Sequence, residues 1–188
     1  MAVEEPAYTL VLQEGEFEVR DYPALVAAEV TVNGNRTEAA NSGFRLLAGY
    51  IFGGNTRRQS IPKIAPLVQE KVVGESIAMT APVIQTQLSG AWLIRFIMPR
   101  DYLLETLPVP NESRIHLTEL APARVAVLRF SGLAYAADIA QKTRDLMAFN
   151  ASHGFQAMGP ASLARYNPPW TLWFMQRNEI MIPLISAR

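Results

Sequence analysis

The order of elements in this chain repeats, and few folds accommodate that repeat. Judged by hydrophobic period and turn residues, it runs strand, strand, helix, strand, strand, and then does so again. In the first half, Phe17 and Val19 alternate with Glu16, Glu18 and Arg20 beyond a Glu14-Gly15 turn, so Tyr8 to Gln13 and Glu16 to Asp21 predict a half-buried hairpin. Ala24 to Val32 predicts a third strand, closed by Asn33-Gly34-Asn35. From Thr37 to about Phe52 the period turns helical, with Ala40, Phe44, Leu47 and Ile51 on one face and Gly53-Gly54 as the stop. Met79 to Leu88 and Ala91 to Met98 form the next hairpin around Ser89-Gly90. The second half supplies strands Arg114 to Glu119 and Arg124 to Phe130, a helix from Tyr135 to Asn150, and strands Ala161 to Tyr166 and Glu179 to Leu184. Helices alternating with pairs of tightly connected strands predict an α+β fold: a mainly antiparallel sheet carrying two helices, its halves related by a pseudo-twofold and closing towards a barrel.

One local motif is also duplicated. Ser76-Ile77-Ala78-Met79-Thr80-Ala81-Pro82-Val83-Ile84-Gln85 leads into a strand, and Ser, Ile, Ala, Pro and Gln recur in the same order in Ser60-Ile61-Pro62-Lys63-Ile64-Ala65-Pro66-Leu67-Val68-Gln69. The upstream copy lies in a polar, twice proline-interrupted excursion, residues 55–75, which reads as an inserted arm covering one end of the barrel or a contact between copies of the chain.

With 188 residues, 49% hydrophobic and 18% charged, the chain is long enough for one full core, and a single domain over 1–188 is expected. Lys plus Arg and Asp plus Glu are each 17, so no net field draws it to nucleic acid or an anionic membrane. The absence of cysteine excludes disulfides, thiolate metal sites and cysteine nucleophiles. The acidic Met1-Ala2-Val3-Glu4-Glu5-Pro6 does not resemble a secretory leader, and no apolar run is long enough to span a bilayer, so a cytoplasmic location is expected.

Tyr50-Ile51-Phe52-Gly53-Gly54-Asn55, Ile77-Ala78-Met79-Thr80-Ala81-Pro82-Val83, Phe130-Ser131-Gly132, and Tyr166-Asn167-Pro168-Pro169-Trp170-Thr171 followed by Arg177-Asn178-Glu179-Ile180 resemble the SOUL haem-binding protein family. Four blocks in order, spanning about Tyr8 to Leu184, make the resemblance specific. It implies a distorted antiparallel β-barrel flanked by two helices, built from a repeated half. It also implies non-covalent binding of haem or another porphyrin, sequestered or carried in a hydrophobic groove. The alternative is an effector- or partner-binding module for another apolar ligand.

A haem iron takes His, Cys, Met or Tyr as its axial donor. His116 alternates with Ile115 and Leu117 and faces away from them, His153 sits at a helix end where it favours the C-terminal dipole, and Met79 and Met98 read as core filler, so no metal ligand is assigned. The groove implied by the resemblance combines the first helix with the loop after Pro168-Pro169. Phe44, Leu47, Ala48 and Ile51 supply an apolar platform and Trp170 a stacking ring, although the same helix residues equally serve to pack the helix onto the sheet. Vertebrate-type relatives place basic residues on this helix and after the double proline. Here Asn41, Gly49 and Thr171 stand there instead, which leaves Arg45, Arg57, Arg58 and Arg177 as propionate anchors. Arg177 and Glu179 share a strand face and read as a structural ion pair. No Ser/His/Asp order, glycine-rich phosphate loop or metal-spaced cluster is present in the sequence, so no catalytic residue and no enzyme activity is expected.

Overall fold

The computed structural model describes residues 3–58, 74–167 and 171–185. β1 (Thr9–Glu14) and β2 (Phe17–Tyr22) form the first hairpin. β3 (Leu25–Asn33) leads into α1 (Arg36–Ile51), and β4 (Asn55–Thr56) follows. Next come β5 (Val83–Gln87), β6 (Ala91–Ile97), β7 (Val109–Pro110) and β8 (His116–Leu120). β9 (Ala123–Ser131), α2 (Ala136–Ser152), β10 (Ser162–Arg165) and β11 (Arg177–Leu184) complete the set.

Nine strands make one strongly curled antiparallel sheet in the order β1-β2-β9-β11-β10-β5-β6-β3-β8. Without β1 this order has the same form from either end: β2-β9-β11-β10 answers β8-β3-β6-β5. Each half thus lends its leading strand to the other, β2 pairing with β9 and β8 with β3. The halves meet at β10 and β5, where Leu163 stands opposite Gln85. The α+β class and the paired halves agree with the sequence reading.

Each helix covers its own half. Asn35 caps α1, its Oδ1 accepting from the Glu38 N–H at 3.0 Å, and Gly53 ends the helix at φ 107°, a conformation that costs a residue without Cβ little. The buried face of α1 includes Leu47, Tyr50 and Ile51, which join Ala28, Val30, Ile94 and Phe96 in one apolar cluster. Gly43 makes the close approach possible, because a Cβ there would overlap the Ile94 side chain. On α2, Leu146 and Phe149 join Val19, Leu128, Leu163 and Ile180 in the second cluster. Burying each such side chain contributes roughly 1.5–3 kcal/mol.

Two segments differ from expectation. The β5 ladder begins at Val83 and not at Met79, because the N-terminal segment takes the residues before it: Glu4 bridges Thr80, and the Ala81 N–H donates to the Glu4 carbonyl at 2.8 Å. The connection over 102–113, to which the hydrophobic period assigns no strand, contains β7, which pairs with β4. The Tyr50 hydroxyl reinforces that pairing by donating to the Pro108 carbonyl at 2.9 Å. Asn55 joins Glu75 to the end of α1, its amide donating to the Tyr50 and Glu75 carbonyls and its Oδ1 accepting from the Glu75 N–H. The upstream copy of the duplicated motif lies outside the described residues. Among them, no helix is long and apolar enough to cross a membrane.

Candidate functional site

At helical spacing Ala136, Ile139, Ala140, Thr143, Leu146 and Met147 share one face of α2, although Met147 is exposed. The fully buried residues of α2, Leu146, Phe149 and Asn150, lie in its C-terminal half; towards the N-terminal end Ile139 is only partly buried against the core, and a cleft of about 670 Å³ opens there. Ile139, Ala140 and Thr143 form one wall, Trp92, Gln85, Leu163 and Ile180 the floor, and Arg36 at the start of α1 one end. The cleft therefore straddles the β10–β5 seam, where neither helix covers the sheet. Its size is that of a small-molecule pocket, and its lining is predominantly apolar. The polar exceptions are specific. Arg36 Nη2 donates to the Ala134 carbonyl at 2.9 Å, while its buried Nη1 has no acceptor among the described residues. Gln85 is 5% exposed, and its Oε1 has no donor among them either. Burial holds Arg36 below the ordinary arginine value; burial first, and then the charge of Arg36, do the same to Arg165.

The residues singled out from sequence lie elsewhere. Leu47 and Ile51 are 0% and 1% exposed and belong to the α1 core cluster, so they offer no face to a ligand here. Phe44, half-buried, packs edge-on against Phe96 with centroids 5.5 Å apart, and Ala48 is half-buried beside it on α1. Trp170 lies outside the described residues. Nor do the four arginines gather around these side chains: Arg45 is exposed on α1, Arg57 pairs with Glu75 at 3.5 Å, Arg58 is exposed beyond β4, and Arg177 sits on the other face of the sheet. His116 is exposed on β8. His153 is the C-cap of α2, where Nδ1 meets the Phe149 carbonyl at 3.0 Å and Nε2 meets Glu14 at 3.0 Å; the carbonyl first, and then the carboxylate, raise its pKa. Met98 is buried in the α1 cluster. Sequence reasoning missed Arg36, Gln85 and Arg165. Gln85 did carry a signal, as the residue on which both copies of the duplicated motif end.

The sheet face away from the helices carries a second constellation, much larger than the expected Arg177–Glu179 pair. Alternation along β2 sends Val19 to the α2 cluster and Glu18, Arg20 and Tyr22 to this face. Arg20, 0% exposed, donates from Nε to Glu18 at 2.7 Å, from Nη1 to Glu179 at 2.8 Å and Tyr22 at 3.0 Å, and from Nη2 to Glu179 at 3.0 Å. Glu179 also accepts from the Tyr166 hydroxyl at 2.6 Å and Arg177 Nη2 at 3.0 Å. Burial acts to raise the Glu179 pKa, but the bonds and charge of Arg20, then Tyr166 and Arg177, outweigh it and hold the value below the carboxylate range. The N-terminal segment covers the network: Glu5 pairs with Arg177 at 3.0 Å, and the Tyr8 ring lies 4.3 Å from the Arg20 guanidinium. Its acceptors and donors satisfy one another, as a structural clamp across β2, β11 and the end of β10 requires.

Comparison with known proteins decides the family. A sequence profile described as SOUL heme-binding protein matches residues 3–183. The chain belongs to the SOUL family. No curated protein matches this SOUL-family chain. Among solved structures it is similar to the C-terminal domain of EcmrR, at 9% identity over 96% of this chain and 99% of that one with a TM-score of 0.63. It is also similar to an uncharacterized conserved protein from Listeria innocua, at 10% identity over 90% and 92% with a TM-score of 0.58. A third, described as a hydrolase from Listeria innocua, gives 12% identity over 98% and 94% with a TM-score of 0.55. At these identities the likeness is one of fold.

Proposed function

We propose that this SOUL-family protein binds a tetrapyrrole non-covalently in the cleft between the helices, to sequester or carry it. The observation that carries this reading is the cleft itself, a predominantly apolar slot of about 670 Å³ with Arg36 among its lining residues. Ile139, Ala140, Leu163 and Trp92 would hold a flat ring by burial and stacking, and Arg36 would hold a propionate carboxylate. No described residue lining the cleft is His, Cys, Met or Tyr, so on this reading the macrocycle is held without an axial side chain. Bound haem would supply an iron-centred chromophore, which makes the binding measurable. On this reading the chain is a binder and not a catalyst.

Titration with haem, followed by the Soret band, should saturate at one equivalent. Ala140→Trp, which fills the cleft from an exposed helix position, should weaken binding about tenfold or more, and His116→Ala should leave it unchanged. Undiminished binding by Ala140→Trp would remove the ligand from the cleft. Absence of saturation would favour the alternative, a module for another apolar ligand.

A further inference from the structure

The two halves of the sheet match residue by residue, and the match shows what the second half lacks. Ile84 stands opposite Ala164 at the seam; on their other sides Ile84 faces Arg95 on β6 and Ala164 faces Glu179 on β11. Arg95 and Glu179 are therefore equivalent positions, and so are the residues that follow them on the helix side, Phe96 and Ile180. The helices align as well: Leu47, Tyr50 and Ile51 are buried on α1 at the spacing of Leu146, Phe149 and Asn150 on α2. Counting back one turn sets Thr143 against Phe44, and Lys142 against Gly43. In the first half the Phe44 ring packs edge-on against Phe96, and Gly43 lets α1 lie closer to its strands than α2 lies to β9 and β11. In the second half the equivalent pair is Thr143 and Ile180, and both line the cleft. The Thr143 hydroxyl already donates to the Ile139 carbonyl at 2.7 Å, so it asks for no polar partner.

We propose that the cleft is an aromatic seat: between Thr143 and Ile180 an aromatic ring of the ligand takes the place that Phe44 fills in the first half, and these two residues determine what enters. This rests on the cleft being the ligand site, as in the tetrapyrrole reading above, where the pyrrole rings are such groups. The first half supplies the precedent, since the same fold packs a ring between helix and sheet at the equivalent position. Burial of apolar area alone would favour a saturated ring of the same skeleton, which is the more apolar of the two; a seat shaped for a flat ring favours the arene.

The test compares 2-naphthoate with its decahydro counterpart, which keeps the skeleton and the carboxylate but has no aromatic ring, each titrated while the Ile180 methyl signals are followed by NMR. 2-Naphthoate should bind about threefold or more tightly, and its ring current should displace the Ile180 methyls, which the saturated acid cannot do. Thr143→Phe supplies the ring from the chain itself. Without ligand it should displace the same methyls and melt about 2 °C or more above the parent, and it should weaken 2-naphthoate about tenfold or more. Equal or tighter binding of the saturated acid overturns the proposal. So does undiminished binding of 2-naphthoate by Thr143→Phe, or a Thr143→Phe chain that melts below the parent or fails to fold. Protoporphyrin, titrated in the same way, separates this proposal from the reading above. If it does not bind while 2-naphthoate behaves as expected, the tetrapyrrole reading alone fails. If it binds and Ala140→Trp releases it while the two acids bind alike, the aromatic seat alone fails.

Discussion

Replacing Arg20 with Met tests whether the buried ionic network holds the sheet together. The change removes four hydrogen bonds at once, to Glu18, to both oxygens of Glu179, and to Tyr22. Glu18, 2% exposed, is left with Arg129 alone at 3.3 Å, whereas Glu179 keeps Tyr166 and Arg177. Breaking a buried ion pair from one side costs about 3–5 kcal/mol. Because Glu179 stays partnered, the lower part of that range, about 3–4 kcal/mol, is expected here. For 188 residues, an unfolding entropy of about 2.1 cal/mol/K per residue converts this into a melting temperature lower by about 8–10 °C. The assay is thermal unfolding at pH 7 followed by circular dichroism. Arg20→Met/Glu179→Gln, which also removes charge left behind, should fall by less than the sum of the two single variants. An Arg20→Met melting temperature within about 2 °C of the parent would refute the argument, since a clamp that can be removed so cheaply holds nothing.

The Glu179 pKa is depressed, so its contribution to stability is present above the unfolded carboxylate value of about 4.3 and is lost as pH falls through the folded value; Glu179→Gln should flatten the acid side of the stability profile, as read by denaturant titration at stepped pH. The His153 pKa is raised, so its contribution is present below about pH 6.5 and lost as pH rises through the folded value; in NMR titrations Glu14→Gln should move the His153 midpoint down. Gly43→Ala should destabilise by about 1–3 kcal/mol through overlap with Ile94, measured by urea unfolding, and an unchanged midpoint would show that α1 can lift off the sheet at no cost.

The sequence by itself determined the elements and their pairing into two halves, because hydrophobic period and turn residues are local properties that packing then reinforces. The α1 stripe of Leu47 and Ile51 needs only neighbours in the chain to be legible. For the same reason, the sequence could not say whether that stripe was a ligand platform or core: both roles demand the same residues at the same spacing. The tertiary structure closes α1 onto β3 and β6 and buries Leu47 and Ile51 there, while a cleft opens beside the N-terminal half of α2. It also decided the partners of Glu179. Arg177 was visible two residues away on the same strand, but Arg20 lies 159 positions distant and reaches Glu179 only because β2 crosses into the other half to pair with β9. Arg36 had no local signature of a site, and Gln85 only its place at the end of the duplicated motif. A buried polar atom is unsatisfied only with respect to what surrounds it, and those surroundings exist only in the folded chain.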